Sequence, residues 1–96
     1  MRGKIKKELI EILPHNCFWV NNGPILSDLK ELHSALKGEI TPEQFAHHTE
    51  GARNDFADWI EQTLYDKRCA EKVRKAKKQS AMTDKVRLCL KDYESK

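Results

Sequence analysis

The chain has 96 residues, 39% hydrophobic and 34% charged, with a formal net charge of +3. That length supports one small domain, which can bury only about 60–65 per cent of its unfolded surface, so a large enzyme with a separate cofactor domain is excluded. Three Pro and four Gly fit a folded helical protein better than a disordered one, and no run approaches the roughly 18 apolar residues of a membrane span.

From Lys4 to Leu13, the apolar residues Ile5, Leu9, Ile12 and Leu13 recur at helical spacing and Pro14 ends the run, which predicts a short amphipathic helix. The charges carried through this N-terminal stretch are unlike a secretory signal, so the expected compartment is the cytoplasm, with no membrane partner. His15-Asn16-Cys17-Phe18-Trp19-Val20 favours strand, but Asn21-Asn22-Gly23-Pro24 closes it with a turn and no second strand is evident. The expectation is an extended segment whose aromatics plug a helical core. Successive amides of the turn suggest a small anion-binding nest, and the plainer alternative is a tight connection into the next helix.

Ser27 or Asp28 begins a helix running to about Lys37, with Leu29, Leu32, His33 and Leu36 on one side and Gly38 as its stop. Thr41-Pro42-Glu43-Gln44 is the clearest helix start: Thr caps, Pro takes the first helical position and Gln completes a capping box. The short helix that follows carries Phe45, Ala46, His47 and His48 before Gly51. Between Asn54 and Tyr65, the residues Phe56, Trp59, Ile60 and Leu64 share one arc opposite Asp55, Asp58, Glu61 and Gln62, and Trp59 is the foremost core candidate. A fifth helix follows an Asp66 cap to about Lys78 with Cys69, Val73 and Ala76 inward. The last runs from about Met82 to Tyr93 with Val86, Cys89 and Leu90 on its inner side, and a lapse in periodicity marks a hinge near 79–82. The fold class is therefore all-α: a compact bundle of five or six short helices with an extended aromatic segment near the N-terminus, forming a single domain over residues 1–96.

Charge is segregated along the chain. Residues 1–7 hold four basic and no acidic residues, 8–66 three basic against eleven acidic, and 67–96 eleven basic against four acidic; the net charges of +4, −8 and +7 recover the total. Such asymmetry orients a protein toward an anionic partner, or lets its own halves attract one another. On the fifth helix Lys67, Arg68, Lys72, Arg74, Lys75 and Lys78 cover one broad arc, with Lys77 at its boundary. That face suits an acidic protein or the phosphates of RNA or DNA, though no aromatic is interleaved with the charges and few side chains are suited to reading base edges. A solvated helix face is the plain alternative.

Other constellations are weaker. His47 and His48, adjacent on a helix, point about 100 degrees apart and do not face one metal together. Cys17, Cys69 and Cys89 form an odd set without CxxC spacing, which disfavours a disulfide framework and a cysteine-rich zinc site. No nucleophile elbow, oxyanion loop or phosphate loop is present, so no catalytic residue, metal or cofactor is assigned, and a small metal- or cysteine-dependent enzyme stands last among the alternatives. An apolar helix face shared between copies would give a homo-oligomer, although no heptad specifies one.

Cys17-Phe18-Trp19-Val20-Asn21-Asn22-Gly23, the Leu29/Leu32/Leu36 series, Phe45 with His48, and Asn54-Asp55-Phe56-Ala57-Asp58-Trp59-Ile60 together resemble a family of small, mainly archaeal and bacterial helical domains of uncharacterised function. The resemblance spans roughly residues 15–90 and implies one helical domain, with His48, Asn54 and Asp55 as a polar cluster where two helices meet. It implies no reaction and no cofactor. The basic density of the last third exceeds what the resemblance implies. The expected function is a noncatalytic helical interaction or adaptor domain with a basic C-terminal face, the alternative being a nonspecific RNA- or DNA-binding protein.

Overall fold

The computed structural model describes residues 16–94, without the side chains of Tyr93 and Glu94. The helix expected over Lys4–Leu13 lies outside the described residues. Residues 18–26 form a hairpin in which β1 (Phe18–Trp19) pairs antiparallel with β2 (Ile25–Leu26), setting Phe18 opposite Leu26 and Trp19 opposite Ile25. This corrects the unpaired extended segment read from the sequence, because a strand of two residues is too short to show alternation. The turn makes the pairing: Asn22 takes a left-handed φ of 57°, which asparagine tolerates better than most residues. The Gly23 N–H donates to the Val20 carbonyl at 2.9 Å and the Val20 N–H to the Pro24 carbonyl at 3.1 Å. Alternation buries Phe18 and Leu26 and exposes Trp19 and Ile25, so one aromatic of the pair, not both, enters the core.

Five α-helices follow among the described residues: α1 (Leu29–Ser34), α2 (Pro42–His48), α3 (Asp55–Gln62), α4 (Lys67–Arg74) and α5 (Gln79–Glu94). The first four start where a side chain accepts a backbone N–H: Asp28 from Glu31, Thr41 from Gln44, Asn54 from Ala57 and Asp66 from Cys69. Thr41 and Gln44 complete a capping box at 3.1 and 2.8 Å. Helix α1 does not stop at Gly38. It widens into a π-helical turn over Ala35–Glu39, closed by the Ile40 N–H on the Ala35 carbonyl at 2.9 Å.

Two helix limits near the C-terminus differ from expectation. Helix α4 ends at Arg74, four residues early, because the Lys75 and Ala76 amides close tight turns onto the Lys72 and Val73 carbonyls, and the Val73 carbonyl also accepts the Asn54 side-chain amide at 3.2 Å. Helix α5 starts at Gln79, whose Nε2 donates to the Leu36 and Ile40 carbonyls at 3.0 and 2.8 Å and ties the helix start to the π-helical turn. The hinge expected near 79–82 thus falls on the first turn of α5, and the break in the helix lies at residues 75–78.

The core gathers around Phe56, which is fully buried, with its ring centroid 4.9 Å from Phe18, 5.7 Å from Phe45 and 5.5 Å from His48. Trp59 is buried as expected, and its indole N–H donates to the Asn16 carbonyl at 2.9 Å. Helices α3 and α4 pack against each other, and α5 lies across α1, the π-helical turn and α4. Cys69 and Cys89, both thiols, meet inside the α4–α5 contact. The hydrogen bond with Cys69 holds the Cys89 thiol below its ordinary value, against the opposing effect of burial.

His33, half-buried on α1, is also held below its ordinary value of 6.5, first by burial and then by the positive charges of Lys37 and Arg87. The unfolded chain therefore takes up this proton more readily than the folded one. Its contribution to stability is complete above the unfolded value and is lost as the pH falls through the folded value. His33→Gln is expected to flatten that part of a plot of urea midpoint against pH between about 7 and 5. Superimposable plots for the two proteins would show that His33 takes up its proton alike in both states.

Candidate anionic-partner interface

Lys67, Arg68, Lys72, Arg74, Lys75, Lys77 and Lys78 are all exposed. Because α4 ends at Arg74, Lys77 and Lys78 project from the connection to α5, and the basic surface is a helix face continued by a loop. Arg74 is set apart from the others. Its guanidinium donates to Asp58 at 2.9 Å and to Glu61 at 3.1 Å, fastening α4 to α3. The hydrogen bond with Asp58 is the main cause of its raised pKa. The attraction between acidic middle and basic end anticipated from composition is realised at this one residue of the seven. Among the described residues, none of the other six lies within ion-pair distance of a carboxylate.

The placement of these charges helps the helix only at its C-terminal end, where Lys72 and Arg74 lie in the last turn and the macrodipole favours a cation. Lys67 and Arg68 occupy the first turn of α4, which has no acidic residue, and there the helix macrodipole disfavours a cation by a few tenths of a kcal/mol. The Asp66 cap offsets this, but helix stability does not account for Lys67 and Arg68. A small polar recess of about 60 Å³ at the far end of α4, bordered by Arg53, Asn54, Arg74 and Lys77, continues the surface toward the start of α3. Arg53 was not singled out by the sequence, where it stands alone in an acidic stretch.

Tyr65 is a second residue that sequence reasoning missed. It is 80% exposed and has a φ of 59°, three residues past the end of α3 and two residues before the basic helix. In the sequence it looked like the last residue of a helical pattern. No local signal marks a tyrosine for the left-handed region, where glycine is usual.

The polar cluster expected from His48, Asn54 and Asp55 divides into two contacts. His48 is 7% exposed; its Nε2 accepts the Asn21 backbone N–H at 3.0 Å, and its Nδ1 lies 2.9 Å from Asp55 Oδ2. A backbone amide only donates, so Nε2 supplies a lone pair and the proton resides on Nδ1, where it is donated to Asp55. Arg53 supports the same carboxylate, with Nε 3.3 Å from Asp55 Oδ1 and its guanidinium donating to the His47 carbonyl. Asn54 turns the other way: its Oδ1 accepts the Ala57 N–H at 3.0 Å and its Nδ2 donates to the Val73 carbonyl. His48 and Asp55 thus join the hairpin, α2 and α3, while Asn54 joins the start of α3 to the end of α4.

The anion nest read from Asn21–Pro24 is not formed, because the Asn21 amide goes to His48 and the Gly23 amide to Val20. Gln44 also holds this turn, donating through Nε2 to the Asn21 and Asn22 carbonyls at 3.0 and 2.9 Å. With both nitrogens of His48 engaged, acid–base work or metal ligation there would require giving up the contact with Asn21 or that with Asp55. Among the described residues, no group of three His, Cys, Asp or Glu is arranged to hold a metal ion.

No family model, curated protein or solved structure matches this chain. Among the described residues, no helix is long and apolar enough to cross a membrane.

Proposed function

We propose that this chain is a noncatalytic helical interaction domain of the cytoplasm, akin to the small helical domains it resembles, and that it binds an anionic partner through α4 and residues 75–78. The observation that carries this reading is the set of six exposed cations, Lys67, Arg68, Lys72, Lys75, Lys77 and Lys78, that form no ion pair among the described residues. The helix caps and the aromatic core are complete without them, and of the six only Lys72 and Lys75, at the end of α4, gain from its macrodipole. A surface of one sign raises the local concentration of an oppositely charged partner and sets its orientation on approach. Acidic protein and nucleic acid both present that charge. The engagement of His48 in the hairpin disfavours the enzymatic alternative.

The test is a titration of labelled single-stranded RNA, duplex DNA and polyglutamate at two salt concentrations, with the wild type and a Lys72→Glu/Lys75→Glu variant. Affinity is expected to fall with salt, with a slope of roughly 0.7 per phosphate contact for a single strand and 0.9 for a duplex. The variant should bind at least about ten-fold more weakly and with a shallower slope. The proposal fails if the folded wild type binds none of these polyanions at low salt, or if the variant binds them equally well.

A further inference from the structure

We infer that Tyr65, together with Lys67, Arg68 and Lys72, forms a stacking platform for an unpaired base, so that the anionic partner is a single-stranded nucleic acid. This rests on the basic-face reading above and names the partner within it.

Tyr65 is held between two anchored neighbours. Leu64 before it is buried, and Asp66 after it is a buried cap that accepts the Cys69 N–H at 3.1 Å. The Asp66 N–H closes back onto the Ile60 carbonyl at 3.2 Å. With its backbone pinned and left-handed, the tyrosine holds its ring outside the core. No ring contact or side-chain hydrogen bond involves Tyr65 among the described residues. The ring is an exposed aromatic face on a fixed backbone, and a tyrosine has only two side-chain torsions to lose when something stacks on it.

What stacks there is limited by the surroundings. Lys67 and Arg68 follow within three residues, and Lys72 lies one helical turn beyond Arg68 on the same side of α4. Aromatic faces beside cations suit a polyanion that carries π-systems, and every base has such a face. In a duplex that face is covered by neighbouring pairs, which favours a single strand. A carboxylate of an acidic protein gains nothing from the negative face of a phenol ring. Stacking also supplies what the sequence lacked, since it needs no side chains that read base edges.

The experiment measures anisotropy of labelled oligouridylate, oligothymidylate, duplex DNA and polyglutamate with wild type, Tyr65→Ala, Tyr65→Trp and Tyr65→Gly. Tyr65→Ala is expected to weaken both single strands about five- to hundred-fold, while duplex and polyglutamate binding stay within about two-fold and Tyr65→Trp restores the single strands. Tyr65→Gly relieves the left-handed backbone, so it should melt a few degrees higher than wild type while losing single-strand affinity, which separates lost binding from lost fold. The inference is overturned if Tyr65→Ala binds the single strands like wild type, or if it weakens all four probes alike. In either case, sensitivity of polyglutamate or duplex binding to Lys72→Glu/Lys75→Glu would leave the basic-face reading standing. Absence of binding to every probe would remove both.

Discussion

His48→Ala is expected to destabilise the domain by about 3 kcal/mol, a large part of the roughly 5–15 kcal/mol that holds a domain of this kind together. The ring packs 5.0 Å from Phe18 and 5.5 Å from Phe56, so its removal opens a gap beside the aromatic cluster. It also deprives the Asn21 N–H of its acceptor and Asp55 Oδ2 of its donor. Asp55 is partly exposed and keeps Arg53, so the greater polar cost falls on the amide. His48→Phe keeps most of the volume and isolates the polar share, for which about 1–2 kcal/mol is expected. Urea denaturation of the three proteins, with and without a chelator, measures both. His48→Phe as stable as wild type would show that the hydrogen bonds contribute nothing net. A wild type that loses as much on chelation as on mutation would make His48 a metal ligand.

Asn54→Asp should be nearly as costly, about 3 kcal/mol near neutral pH, although it changes the side-chain volume very little. One oxygen still caps the Ala57 N–H, but the other replaces a donor that faces the Val73 carbonyl, at a site only 6% exposed. Oxygen then opposes oxygen, and a carboxylate is withdrawn from water. The neutral acid donates to that carbonyl, so the folded pKa of this new group lies above its unfolded value of about 3.9. Protonation then favours the folded state. The deficit relative to wild type is greatest above the folded pKa and shrinks as the pH falls through it toward the unfolded value. Denaturation midpoints of both proteins between about pH 8 and 4.5 read the difference. A deficit that stays constant over this range would mean that the Val73 carbonyl does not face the new oxygen.

Much of the helical architecture was legible because capping and periodicity act over three or four residues. Asp28, Thr41, Asn54 and Asp66 all begin helices, and the aromatic arc of α3 faces inward with Trp59 buried. The hairpin was not legible, since two-residue strands carry no period and its turn is held by Gln44 and His48, more than twenty positions away. The end of α4 is met by Asn54 and the start of α5 by the Leu36 and Ile40 carbonyls, and neither partner lies near in sequence to the helix it contacts.

The candidate interface divides in the same way. Composition and helical spacing placed Lys67, Arg68, Lys72 and Arg74 on one helix, because charge and a 100-degree step per residue are properties of the chain alone, while Lys75, Lys77 and Lys78 fall beyond its end. Which of those cations α3 engages, whether the aromatic that precedes them is buried or exposed, and which histidine nitrogen is already occupied were decided only on folding. Arg74 meets Asp58 and Glu61 across two helices, the anchors on either side of Tyr65 turn its ring outward, and His48 reaches an amide 27 positions away. The Arg74 and His48 contacts join residues remote in the chain, which meet only when the apolar faces pack. The outward turn of Tyr65 follows from burial of Leu64 and Asp66 on either side of it, which that packing also decides.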